Sequence, residues 1–421
     1  MRSPRFPWLA VARACAVAGA CTACSAILGI EDPVVEGLIL LDAGADAPVL
    51  GEDGGGVTEA GGDAAGCGDT TTSADNCGAC GHKCITTACV AGRCQAQVLV
   101  TGAPIADYSG YVGVNASLVV WANKPTRGVY SAPKGGGIFQ QYFGTTAFTP
   151  TTLDVHETFF VFSDYDLYGV AKYTLPGTAS EDPRAESCAT GLGAVADETG
   201  AVYYAHLNDT GPCTGAIFHI TKRVPTGGGT YTTAWDIPVS NFSVGASKWM
   251  VVDANNLYFD SSFQPPSNPN GIYAMPRNGG AGVTPSLVLA GGFLASPMAL
   301  DGTTLYTIEF VSSATPSVVA IDLPMKTKRL VAKTEHAFFE AGSNARAQIA
   351  VDATHVYWTA AVGTENPSTG GRVLRARKDG SDLGGKGEEI VVDTEPSLFG
   401  MTIDQSFVYW STASAIKRVA K

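Results

Sequence analysis

The chain has 421 residues, of which 45% are hydrophobic and only 16% charged, enough apolar surface for a sizeable core. Fifty Gly and 23 Pro exclude long helices, coiled coils and helical bundles. Lys and Arg number 27 against 39 Asp and Glu, a net charge of −12, and with no basic patch nucleic acid is excluded as a partner.

The first element is an export signal. Arg2 and Arg5 precede an Ala-rich apolar stretch from Trp8 to Ala23, interrupted by Arg13. It is too short to span a membrane and has the layout of a secretion signal. It ends in small residues before cysteine, Ala18-Gly19-Ala20-Cys21 and Cys21-Thr22-Ala23-Cys24. This resembles the lipobox of bacterial lipoproteins, in which the Cys thiol is lipidated and becomes the first mature residue. Of 11 Cys, Cys15, Cys21 and Cys24 lie here. Lipid on Cys24 leaves eight that can all pair, whereas lipid on Cys21 leaves Cys24 as an odd thiol. Cys24 is the expected lipidation site. Residue 25 is Ser, not the Asp that retains such lipoproteins in the inner membrane. The resemblance therefore implies a Gram-negative outer membrane or cell surface, reached through the lipid.

Residues 24–66 read as a lipid-anchored linker. After Ile30 they hold nine acids and no Lys or Arg, among Gly, Ala and Val. Such a segment cannot bury enough to fold, so a disordered tether is expected.

Residues 67–94 form a small disulfide-rich module. Cys67, Cys77, Cys80, Cys84, Cys89 and Cys94 fall within 28 residues, too few to hold a core without bridges. Spacing alone does not decide their pairing. A zinc alternative would use Cys77, Cys80, His82 and Cys84, crowded for a tetrahedral site.

From residue 95 the chain repeats itself. An apolar residue, Asp or Asn, two or three small residues and an alternating aromatic strand recur. Clear copies are Val252-Asp253 to Phe259, Val351-Asp352 to Trp358 and Ile403-Asp404 to Trp410. Weaker ones are Leu300-Asp301 to Thr307, Val114-Asn115 to Trp121, Asp197 to Tyr204 with one extra residue, and His156 to Phe162. Their last positions, 121, 162, 204, 259, 307, 358 and 410, step by 41 to 55 residues, the period of a propeller or solenoid. In the sixth copy Gly371 to Ala376 and Glu388 to Val392 supply two further strands, making four with the strand that leads into the Asp. The last copy stops one strand short at Val419, and Gln97 to Val100 stands before the first. Pairing those two closes a ring of seven four-stranded blades over residues 95–421 and removes its open edges.

The stretch Tyr357-Trp358-Thr359, then Arg372 to Ser381, resembles a blade of the YWTD propellers of lipoprotein receptors, whose signature Asp is Ala360 here. The lipobox, the Leu28 to Asp32 stretch, the Asn76 to Gly81 Asn-Cys-Gly-x-Cys-Gly segment and the repeats together resemble the exported lipoproteins of myxobacteria. That resemblance covers nearly the full chain. It implies architecture and no particular activity.

Candidate chemistry is sparse. The repeated Asp197, Asp253, Asp301, Asp352 and Asp404 read as turn acceptors for backbone N–H groups, and Trp121, Trp358 and Trp410 as core. Ser131-Ala132-Pro133-Lys134 matches a Ser-x-x-Lys acylation motif without its companions. The six His form no metalloprotease motif, and no nucleophile elbow or phosphate loop appears. Neither a cofactor nor a metal site is expected. Cys188 and Cys213 fall in neighbouring blades and are expected to bridge. Loops between second and third strands are read as His206 to Thr214, Asp260 to Asn270, Glu309 to Pro316 and Thr359 to Gly370. Phe263 lies in one of them; Phe293, Phe338, Phe339 and Phe399 lie in strand-to-blade loops on the same face. These five are the expected binding residues for a protein or glycan ligand. The reading is a monomeric, non-catalytic surface binding or scaffold propeller. A propeller-type hydrolase, lyase or lactonase and a structural envelope protein are the alternatives.

Overall fold

Short apolar–polar alternations between Gly, Pro and Asp turns can bury only one sheet face at a time, so each strand set needs neighbours on both sides. The computed structural model describes residues 68–421 except 79–80, 86, 103–110, 124–127, 145–149, 165–168, 178–179, 182–188, 209–216, 239–249, 262–268, 281–282, 292–296, 310–315, 334–347, 362–370, 382–386, 394–397 and 399. Every described element is a strand, and seven antiparallel sheets have four strands each. Blades one to six span 112–144, 150–181, 189–238, 250–290, 298–333 and 349–393. Blade seven joins Met401–Ile403, Phe407–Ser411 and Ala415–Ala420 to Gln97–Thr101. Gln97 stands opposite Arg418 and Thr101 opposite Ala415. The expected closure by the N-terminal strand is thus observed.

The seven inner strands contact one another in sequence around a ring, with blade seven meeting blade one. Close approach needs small residues there. A Cβ on Gly113 of blade one would stand 2.2 Å from Val155 Cγ2 of blade two. The second strands carry the aromatic repeat: Trp121, Phe162, Tyr204, Phe259, Trp358 and Trp410 are all buried. Alternate residues face opposite neighbours, so each inter-blade space fills from both sides. Tyr258, Ile272, Leu305 and Val319, for example, pack between blades four and five. The extra residue of the third copy is absorbed at Gly200, whose φ of +80° the turn requires.

The cysteine module is held by two disulfides, Cys77–Cys89 and Cys84–Cys94, with Cys89 and Cys94 directly opposite in a two-stranded ribbon. Both bridges take their sulfurs out of the zinc alternative, and His82 Nδ1 lies 2.6 Å from the Cys77 carbonyl oxygen. Residues 1–67, including Cys24, Cys67 and the tether, lie outside the described residues.

Candidate functional site

The turn between inner and second strand is organised by the repeated acid, as its sequence position suggests. Asp253 Oδ1 accepts the N–H groups of Asn255 and Asn256 at 2.7 and 2.6 Å. Asp352 Oδ1 accepts those of Thr354 and His355 at 2.9 and 2.8 Å. Asp404 Oδ1 accepts those of Ser406 and Phe407, both at 2.8 Å. The second oxygen has a role the sequence did not reveal. It accepts the hydroxyl of the Tyr five residues on: Tyr258 at 3.0 Å, Tyr357 at 2.9 Å and Tyr409 at 2.8 Å.

A cation from the following blade completes the device at four junctions. Arg277 reaches Asp197 at 2.8 Å and Lys421 reaches Asp352 at 2.7 Å. Lys378 pairs with Asp301, and Lys134 with Asp404 across the ring closure. Each cation is the residue whose N–H bonds the carbonyl just ahead of the second strand of its own blade. The same place holds Leu175 in blade two and Leu323 in blade five. Opposite Leu175 the acid is replaced by Asn115, whose Oδ1 still serves the turn N–H groups of Ser117 and Leu118. Opposite Leu323, Asp253 keeps its turn and Tyr bonds. At the first of these junctions the charge is dropped with its partner, as expected of a half-buried ion pair.

Lys134 is therefore a clip between blades. Its ammonium also donates to the Asn115 carbonyl at 3.1 Å, and Ser131 Oγ donates to Tyr142 Oη at 3.2 Å. The Ser-x-x-Lys resemblance is thereby accounted for. Burial pushes the Asp352 and Asp404 carboxyls up. The Lys partners, the turn N–H groups and the Tyr hydroxyls outweigh it and hold both below the ordinary range. Burial raises the Tyr258 hydroxyl to about 12, against the bond from Asn256 and helped by the Asp253 charge.

The inner strands enclose a cavity of about 250 Å³. Each blade contributes an apolar residue to it: Val112, Leu153, Val195, Met250, Met298, Ile349 and Met401. The polar lining is tied into the ring. Thr152 Oγ1 accepts from Ala194 N at 3.0 Å, Asp154 Oδ2 from Ala196 N at 2.8 Å, and Gln348 Oε1 from Met401 N at 2.6 Å. Each bond joins neighbouring blades. Asp154 also meets His156 Nε2 at 2.9 Å. Burial lowers the His156 pKa, but that bond and the Asp154 charge raise it above its ordinary value. Among the described residues Asp154 is the carboxylate lining the channel.

The five expected binding residues, Phe263, Phe293, Phe338, Phe339 and Phe399, lie outside the described residues, as do Cys67, Cys80, Cys188 and Cys213. All four expected loops begin later than their assignment, since Asp260, Glu309 and Thr359 end up in second strands, and the same holds at His206. The second strand of blade three continues through His206 to Asn208, because the third strand, Ile217–Gly227, pairs with it residue for residue. His206 thus sits in the sheet, opposite His219 and close to Asp236. This trio escaped the sequence reading because its members lie on three strands with no motif spacing; the signal was His206 and His219 facing each other in one hairpin.

No family model matches the chain, and no curated protein matches it in sequence. Solved structures share its fold. An oligogalacturonate lyase from Vibrio parahaemolyticus superposes with a TM-score of 0.53 at 10% identity, over 77% of this chain and 93% of that one. A streptogramin B lyase gives 0.51 at 14%, over 77% and 97%. A chain of a mitotic checkpoint complex gives 0.50 at 9%, over 76% and 91%. At such identities the likeness is one of fold alone.

Proposed function

We propose that this chain is an exported lipoprotein, anchored through Cys24, that presents a non-catalytic β-propeller to a protein or glycan ligand at an outer membrane or cell surface. The observation that carries the non-catalytic reading is the channel lining. Among the described residues its acid, its amide and the Thr152 hydroxyl each bind a backbone N–H of the next blade, and the other lining side chains are apolar apart from Tyr111. Groups committed to holding the ring are poorly placed to move protons. The similar structures belong to two lyases and a checkpoint complex, so in those proteins the frame serves both chemistry and assembly. The expected loop Phe residues supply the ligand contacts.

Two measurements test this. Glycan and peptide arrays probed with the purified protein should show a defined ligand class, weakened by Phe263→Ala or Phe399→Ala with the melting temperature unchanged. Binding untouched by substitution at all five Phe positions would refute the loop assignment. Metabolic palmitate labelling should be lost in Cys24→Ala and kept in Cys21→Ala; the reverse would move the anchor.

A further inference from the structure

Among the described residues, blade three breaks the repeat at one cross-strand pair. Three residues past the Tyr of blades four, five and six, Ser261 stands opposite Gly271, Glu309 opposite Ser317 and Ala360 opposite Arg372. In blade three the same pair is His206 opposite His219. Their rings stack with centroids 5.2 Å apart. The outer strand, Thr230–Pro238, brings Asp236 opposite Thr221. Thr221 is two residues from His219 and so shares its face of the sheet. That face is the one on which Val202 and Tyr204 pack against Phe159, Val161 and Val170 of blade two.

The distances are those of a metal site. His219 Nδ1 lies 2.9 Å from Asp236 Oδ2, and His206 Nε2 lies 3.8 Å from Asp236 Oδ1. The three ligand atoms all fall within 4.8 Å of one another. A tetrahedral ion at ~2.0–2.2 Å from N and O ligands separates them by about 3.3 Å, and the two distances, one to each carboxylate oxygen, lie on either side of that. The Thr221 hydroxyl donates to Asp236 Oδ1, so its oxygen accepts the His206 Nε2–H at 2.9 Å. His219 Nδ1 likewise donates to Asp236. His219 is therefore tied to the carboxylate directly, and His206 through the Thr221 hydroxyl. Moving each proton to the other nitrogen of its ring leaves His206 Nε2, His219 Nδ1 and a carboxylate oxygen as three electron-pair donors within 4.8 Å of one another. Side-chain exposure rises from 2% at His206 through 14% at His219 to 32% at Asp236. The site is walled on its inner side and open at the carboxylate, which gives an ion a way in.

We propose that His206, His219 and Asp236 bind one divalent transition-metal ion, Zn²⁺ foremost. Thr221 fixes the carboxylate, and the remaining coordination position is left to water or an oxygen of a bound molecule. Two imidazoles with one carboxylate suit Zn²⁺, Co²⁺, Ni²⁺ or Cu²⁺; Ca²⁺ and Mg²⁺ require mostly oxygen. The inference stands independently of the function proposed above.

Isothermal titration of the purified protein with ZnCl₂, thiols first blocked with iodoacetamide, should saturate at one ion per chain. Asp236→Asn and His219→Gln, which keep side-chain shape at the open end, should each weaken binding by about 100-fold or more, and Zn²⁺ should raise the melting temperature of the parent alone. No uptake of any of the four ions, or uptake unchanged in both variants, overturns the proposal. The electron paramagnetic resonance spectrum of the Cu²⁺-loaded parent decides without any variant: coupling to two imidazole nitrogens supports the site, and coupling to one or none refutes it.

Discussion

Asp404→Asn should destabilise the propeller far more than Asp253→Asn, although the two acids occupy the same place in their blades. Both serve two turn N–H groups and one Tyr hydroxyl. Only Asp404 also takes the Lys134 ammonium, across the junction that closes the ring. Removing one partner of a buried ion pair costs ~3–5 kcal/mol. Side-chain exposures of 17% for Lys134 and 20% for Asp404 leave some solvent screening, which reduces this to about 2–3 kcal/mol. At Asp253 a neutral amide still accepts the turn bonds, so about 1 kcal/mol is expected. Urea unfolding followed by Trp fluorescence gives both values. Combining Asp404→Asn with Lys134→Met should recover ~1–2 kcal/mol of the summed losses, since the two residues share one interaction. Equal losses at Asp404 and Asp253, or strict additivity of the double variant, would refute the clip.

Acid should weaken the ring in a defined direction. The Asp352 and Asp404 carboxyls are held below their ordinary value, so the unfolded chain takes up protons first as pH falls. Their contribution is complete above about pH 4 and is lost below it. The Asp352→Asn/Asp404→Asn double variant should be less stable at neutral pH yet flatter below pH 4, and parallel curves would contradict this. Gly113→Ala sets a Cβ 2.2 Å from Val155 Cγ2 and should cost ~1–3 kcal/mol by forcing two inner strands apart; unchanged stability would show the strands are not so close. Peptide mapping without reduction should recover Cys77 linked to Cys89 and Cys84 to Cys94, and any crossed pair would overturn the module's structure.

The frame was readable because it repeats. One Asp-to-aromatic pattern placed all seven second strands, and the strand missing after Val419 pointed to Gln97–Val100 as its replacement. The turn role of the acids followed from their neighbours in sequence. The clips did not, because Lys134, Arg277, Lys378 and Lys421 act on the preceding blade, up to hundreds of residues away along the chain in the case of Lys134 and Asp404. The channel was invisible for a related reason: Thr152, Asp154 and Gln348 show their purpose only beside the next inner strand. His206 was placed in a loop because the repeat pattern ends at the aromatic position, whereas the second strands run on past it, as at Ser261, Glu309 and Ala360.

The most direct test of the proposed binding role is a mass-spectrometric turnover screen. The purified protein, with and without Zn²⁺, would be incubated with polyuronates, lactones, esters and cyclic depsipeptides. The account predicts that every compound is recovered intact, even where arrays report binding. Consumption of any of them by the native protein, lost on heat denaturation, would contradict it, and loss of that turnover in Asp154→Asn would locate the chemistry in the channel.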